Sequence, residues 1–400
     1  MNHPRSIVAV RIIAIAGLLT LAIIGGITME SKIALEKREE AFSNLDGMDT
    51  SRHGGYYLSD NGTVLNINEL EGQPLGIAES RLVRVHKAQY SLEALKDLEE
   101  QYTPHMLEWH IQLLYVDYPA NRLNITLYDA QPGDEACIRA LAPEEEMIQV
   151  HYADKPMETL MGKIDPPIHK TDEKALRAVN EAIKDGGALL LGAGEFFHAY
   201  CSATCGISWQ ENGETVYGVL TCGHGQTVGE NILYFPPKSS GAPYDENSHN
   251  PDTHGPDDVM PIGKTKAAYY QDQLDCALIS REYENVHMAG VSLSGLSAAT
   301  QSGVPRVGAT VWSSGVWTNS AATVTANDAK ATTTDGHVIL HTMVTDVGLI
   351  RGDSGSPLFY MTNDGNLSLC GIASAGSDTH GVFVRYSENR SAAGFTMTKF

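Results

Sequence analysis

The hydrophobic rhythm of the chain changes several times along its length. An uncharged run from Ile12 to Met29 follows Arg5 and Arg11 and has no polar face. It is longer than an ordinary signal core and just long enough to span a bilayer. Residues 1–32 are therefore expected to form an N-terminal hydrophobic helix, either a cleaved signal peptide or a signal anchor contacting the membrane. In both cases the positive flank stays inside and the remainder is exported, giving a secreted or cell-envelope protein. Residues 33–80 turn polar and Gly-rich, with the charge run Glu36-Lys37-Arg38-Glu39-Glu40. They read as a stalk or linker with a short helix followed by loops.

Residues 81–155 alternate between two periods. Leu82, Val83 and Val85 mark a strand. Ser91 caps a helix carrying Leu92, Leu95, Leu98 and Tyr102 at helical spacing. Ile111, Leu113 and Tyr115 then alternate, Pro119–Arg122 turns the chain, and Leu123, Ile125 and Leu127 alternate back. A second helix, opened by Pro132-Gly133-Asp134 and running through Leu141, and a strand over Met147–Tyr152 complete the order β-α-β-β-α-β, that of a ferredoxin-like α+β unit. Residues 156–186 contain Pro156, the pair Pro166-Pro167 and a charged helical patch from Asp172 to Lys184, just before Gly186-Gly187. This is a linker and a candidate processing zone. From 187 to 400 the texture is that of many short strands separated by Gly, Ser, Asn and Asp, the signature of an all-β sandwich or barrel. An irregular stretch, Pro236–Gly263, interrupts it.

Composition narrows the function classes. At 400 residues, 42% hydrophobic and 19% charged, the chain can bury a sizeable core. A net charge of -21 supplies no excess to neutralise phosphates, so nucleic acid is not an expected partner. Five of the six cysteines (Cys201, Cys205, Cys222, Cys276 and Cys370, with Cys137 apart) fall in the last half, which fits an oxidising compartment without fixing a pairing. No Cys-x-x-Cys pair supports structural zinc, and neither metal nor cofactor is expected. Asp245, Glu246, His249, His254, Asp257 and Asp258 lie in the irregular stretch, which reads as a solvated loop, with calcium binding the alternative.

Three segments carry chemistry: Thr221-Cys222-Gly223-His224-Gly225, Leu274-Asp275-Cys276-Ala277, and Arg351-Gly352-Asp353-Ser354-Gly355-Ser356-Pro357. A serine hydroxyl is a weak nucleophile and needs an adjacent base. An imidazole, titrating near roughly 6.5, suits that role, and a buried carboxylate fixes its tautomer and stabilises the imidazolium. The order His, Asp, Ser differs from the orders of subtilisin and the α/β-hydrolases. His224, Asp275 and Ser354 are the catalytic candidates. The glycine-rich run lets the N–H groups of Gly352 and Ser354 converge on a developing oxyanion. Asp353 is expected to hold this loop by an ion pair with Arg306 or Arg351.

On these motifs, residues from about 186 to 400 resemble the bacterial chymotrypsin-like serine proteases of the streptogrisin and α-lytic group. Gly308–Gly315 is similar to that group's mid-domain strand pair, and Tyr115-Val116-Asp117 with Asn121-Arg122 to its pro-region. The resemblance implies two six-stranded antiparallel β-barrels with the site between them, and a pro-segment that assists folding and is removed. It further implies that Ser374-Ala375-Gly376 pairs with the substrate backbone, and that Gly348 stands where an acidic residue would select Lys or Arg. An uncharged residue before the scissile bond is thus expected; the alternative is that His380 lines the pocket and favours acidic side chains. In the family a cysteine follows the catalytic His; here Gly225 does, which leaves a bridge from Cys201 or Cys205 to Cys222 as the substitute. The expectation is a monomeric serine endopeptidase acting on protein or peptide substrates and partnered by its own pro-segment. The rivals are an inactive homologue using the fold for binding and an anchored envelope protease that keeps its pro-segment.

Overall fold

The computed structural model describes residues 29–160, 189–191, 196–197, 201–234, 260–282, 286–288, 292–293, 296–299, 303–315, 318–362 and 367–398. The hydrophobic run before Met29, the helical patch at 172–184, Gly186-Gly187 and the acidic part of the irregular loop lie outside the described residues. Among the described residues no helix is long and apolar enough to cross a membrane.

The stretch read as a polar stalk is instead folded. A helix, Met29–Asp46, is followed by strands His53–Ser59 and Val64–Leu70. Phe42, Leu45, Leu65, Ile67 and Val83 form a small core between them. The sequence hid this because Asn66 and Asn68 interrupt the apolar run, yet both are buried. Their amides find acceptors, Asn66 at Ser59 Oγ (2.9 Å) and Asn68 at the Tyr118 carbonyl (2.5 Å), as buried polar groups must.

The helix Leu92–Tyr102 forms as the spacing predicts, with Ala94 N–H donating to the Ser91 side chain at its start. Its buried face, Leu92, Leu95, Leu98 and Tyr102, packs on the hairpin Ile111–Asp117/Arg122–Leu127. Each such side chain contributes roughly 1.5–3 kcal/mol. The ferredoxin-like order does not hold as a single sheet, however. Val83–Ala88 pairs in parallel with Val64–Leu70, not with the hairpin. It is drawn away because that upstream strand, unrecognised in the sequence, offers it an open edge.

Apart from a short parallel pair, Leu189–Leu191 with Val286–Met288, the remaining strands among the described residues make two sheets. One runs in the order 201–202, 196–197, 231–234, 260–271, 274–280, 214–221, 205–211, 396–397. Asn212 and Gly213, both at positive φ, close the tight turn between Cys205–Glu211 and Glu214–Thr221. In the other, Thr310–Ser314, Asn319–Thr332, Val338–Thr345, Gly381–Arg385, Leu367–Gly376 and Pro357–Met361 pair successively, and the last returns to the first, closing a cycle. The first sheet closes no such cycle among the described residues. The upstream hairpin extends the second sheet, since Leu114 and Leu113 pair with Lys330 and Ala331. A helix-to-strand contact reinforces the junction: buried Lys330 Nζ meets exposed Glu100 at 2.7 Å and buried Glu99 at 3.9 Å.

All six cysteines are free thiols, so the expected bridge to Cys222 is not formed. Cys201 and Cys222 are buried side by side, whereas Cys276 and Cys370 are enclosed separately in the two sheets.

Candidate active site

Strand Glu214–Thr221 ends just before His224, and the next strand in the sheet, Leu274–Ser280, is buried at every position. Asp275 therefore enters the interior on a rigid element. Its carboxylate is fixed first by backbone: Gly223 N–H and His224 N–H both donate to Oδ1, at 2.6 and 2.8 Å. This close approach explains Gly223, where a Cβ would lie 2.0 Å from the Tyr269 carbonyl oxygen. The Asp275 N–H in turn donates to the Asn389 side chain, on the helix Tyr386–Ala393, at 3.0 Å. Asn389 escaped the sequence reading, which held no signal for it.

The imidazole bridges the two sheets. His224 Nδ1 lies 2.6 Å from Asp275 Oδ2, and His224 Nε2 lies 2.7 Å from Ser354 Oγ. A carboxylate can only accept, so Nδ1 carries the proton and Nε2 of the neutral ring is left to accept from the serine hydroxyl. His224 is 2% exposed, and Asp275 and Ser354 are fully buried. Burial favours the neutral forms of both ring and carboxyl. Their mutual attraction and hydrogen bonds outweigh it, so the His224 pKa is raised and that of Asp275 lowered.

The nucleophile loop comes from the second sheet and is clamped by the first. Ser202 N–H donates to the Ser354 carbonyl (2.5 Å), Ser202 Oγ to the Gly352 carbonyl (2.9 Å) and Thr204 Oγ1 to the Gly355 carbonyl (2.6 Å). Gly352 (φ 102°) and Gly355 (φ 83°) take conformations closed to most side chains. Asp353 does brace the loop, but not through the expected arginines. Its carboxylate accepts from Thr318 N–H (3.1 Å), Thr318 Oγ1 (2.5 Å) and Ile350 N–H (3.2 Å). Arg306 is paired with Asp46 and Arg351 with Glu158.

Of the other candidate positions, Ser374, Ala375 and Gly376 end the strand Leu367–Gly376 beside the relay. Ser374 helps keep Asp275 ionised. Ala375 and Gly376 pair antiparallel with Thr159 and Glu158. Gly348 packs against backbone, since a Cβ there would lie 2.3 Å from the Asp378 carbonyl oxygen. The neighbouring Leu349, missed in the sequence, is the residue whose side chain fronts Gly376 and Gly381. His380 turns to Thr379 Oγ1 (2.9 Å), and burial lowers its pKa. Gly352 N–H donates to the Leu160 carbonyl at 2.7 Å. Among the described residues no cluster of three or more His, Cys, Asp or Glu is arranged to hold a metal ion.

A hydroxyl, an imidazole and a carboxylate in series form the nucleophile–base–orienter arrangement that supports acyl transfer. No protein-family model matches the chain, and no curated protein matches it. Solved structures similar to it include bacterial chymotrypsin-like serine proteases. Cellulomonas bogoriensis chymotrypsin is 20% identical over 53% of this chain and 100% of its own (TM-score 0.37). Thermobifida fusca Protease A is 16% identical over 53% and 100% (TM-score 0.39). A glutamic acid specific serine protease described as using a histidine triad in substrate binding is 20% identical over 52% and 100% (TM-score 0.38).

Proposed function

We propose that the protein is a serine endopeptidase built on two chymotrypsin-like barrels, with Ser354 as nucleophile, His224 as general base and Asp275 as its orienting partner. The observation that carries this reading is the continuous buried relay from Asp275 through His224 to Ser354, at 2.6 and 2.7 Å. Ser354 Oγ attacks a peptide carbonyl as His224 Nε2 takes its proton. Gly352 and Ser354 N–H groups receive the oxyanion. His224 then protonates the leaving amine, and water, activated by the same imidazole, hydrolyses the acyl-enzyme. No step requires a metal or cofactor. Ser374-Ala375-Gly376 would pair with the substrate backbone.

The upstream region, up to about residue 160, acts in this reading as a pro-segment made with the enzyme, and the monomeric protein is exported to the envelope or beyond. The interlocking of the upstream hairpin with the strand at Lys330 and Ala331 supports a role in folding. Labelling with a fluorophosphonate probe tests the nucleophile. Wild-type protein should label and Ser354→Ala should not; a folded wild-type protein that resists labelling and leaves casein intact would favour an inactive, binding homologue.

A further inference from the structure

One segment of the chain is held between the strand end at Ala375–Gly376 and the loop of Ser354. Glu158 and Thr159 form an antiparallel ladder with Gly376 and Ala375. The next carbonyl, that of Leu160, accepts from Gly352 N–H at 2.7 Å. The backbone on one side and an oxyanion donor on the other thus fix the Leu160 carbonyl against the loop that carries Ser354. The Leu160 side chain is 1% exposed and belongs to an apolar cluster with Leu349, Ala373 and Phe383. A Cβ on Gly376 would sit 3.1 Å from Leu160 Cδ2, so that glycine keeps the entrance open. The preceding residues are tethered as well. Met157 N–H donates to Gln112 Oε1 (2.6 Å), Thr334 N–H donates to the Met157 carbonyl (3.1 Å), and Glu158 pairs with Arg351 at 2.9 Å.

We infer that the protein cuts its own chain between Leu160 and Met161, and that the pocket holding Leu160 selects leucine-sized unbranched or γ-branched aliphatic side chains before the scissile bond in other substrates. This rests on the reading of Ser354 as nucleophile. Ser354 Oγ bonds to the Leu160 carbonyl carbon as its proton passes to His224 Nε2. The C–N bond to Met161 then breaks, and the nitrogen leaves as an amine with that proton. Water hydrolyses the Leu160 ester, regenerating Ser354 and leaving a carboxylate at Leu160. The tethers on Met157 and Glu158 make the attack intramolecular, which removes the entropic cost of bringing the bond to the site. Until the new carboxyl end departs, the same ladder blocks the cleft. An apolar lining offers no partner to a buried charge, and a pocket already filled by leucine resists larger side chains.

The test uses the full-length chain, expressed and purified, with its new N-terminus read by sequencing and intact mass. The expected start is Met161. Leu160→Asp should abolish that terminus and Leu160→Met should retain it. A synthetic peptide spanning Lys155–Lys163, given to the purified enzyme, should be cut between leucine and methionine. Its counterpart with aspartate in place of that leucine should be cut at least about 100-fold more slowly; this peptide arm does not depend on any variant folding. Fluorophosphonate labelling and casein cleavage are measured on the same preparation. If Ser354 labels and casein is cut, but the new terminus lies elsewhere or charged residues are preferred before the cut bond, the inference fails and the hydrolase reading stands. If the wild-type protein neither labels nor cleaves, both fall.

Discussion

The two junctions that assemble this molecule are built from different materials. The one between the two sheets, where His224, Asp275 and Ser354 meet, is backbone-fixed: Gly223 and His224 N–H groups hold Asp275, and Ser202 and Thr204 hold the loop around Ser354. The one between the upstream region and the second sheet combines two short strand pairings, of two residues each, with side-chain ion pairs, several of them exposed: Lys96–Asp328, Arg306–Asp46 and Arg351–Glu158. Buried backbone hydrogen bonds are costly to break singly. Exposed ion pairs contribute about 0–1 kcal/mol each and weaken with salt. The first junction suits a permanent catalytic geometry, the second a contact that can be given up.

The largest effect is expected at the first junction. Ser354→Ala should lower casein hydrolysis by about 10⁵–10⁶-fold while the circular dichroism spectrum is retained; hydrolysis at the wild-type rate would remove the relay from the mechanism. Asp275→Asn should cost about 10⁴-fold in turnover, because the imidazole loses the partner that fixes its tautomer. Asp275 also raises the His224 pKa above the ordinary 6.5. Only the neutral ring accepts the serine proton, so activity should fall as pH drops through that raised value. A wild-type acid limb centred below 6.5 would contradict the pairing.

The second junction should respond to pH more gently. Burial raises the Glu99 pKa to about 8, against an opposing pull from Lys330. Its folded-state pKa lies above its unfolded one, so the stabilisation is full below about 4.5 and is lost as pH rises through about 8. Asp328, Lys96 and Glu100 also face this site. In a full-length Ser354→Ala background, the melting temperature should decline by a few degrees over this interval. Glu99→Gln should flatten the decline, and an unchanged slope would dismiss Glu99 as its source. The smallest effect belongs to Arg351→Ala, which removes the exposed pair with Glu158 and should shift stability by about 1 kcal/mol or less, measured by denaturant titration at low and high salt.

The site was more legible in the sequence than the scaffold around it. His224, Asp275 and Ser354 sit in short glycine-marked segments whose chemistry is local, and each is found beside the others. Contacts between distant segments were not legible. Nothing in Val83–Ala88 says that it will pair with Val64–Leu70, and buried Asn66 and Asn68 disguised that partner as loop. The long strand Asn319–Thr332 is mostly Ala, Thr and Asn, too weakly apolar to register. Met157–Leu160 follows Pro156 and is too short for a period, so it read as linker. Asp353 was expected to meet an arginine because charge suggests a partner of opposite sign, yet a backbone N–H and a hydroxyl from Thr318 do the same work.

Lys330 has a consequence of its own. It lies where Asn319–Thr332 receives the upstream hairpin, its ammonium enclosed by Glu99 and Glu100. Were the upstream region to leave, that stretch would face water with amides and carbonyls unpaired by backbone, a template on which other chains could stack. The lysine would then be freed into solvent at the point of greatest danger, where its charge repels a second copy approaching edge-on. One side chain would thus serve two successive lives of the protein, first as a latch and afterwards as a guard against aggregation.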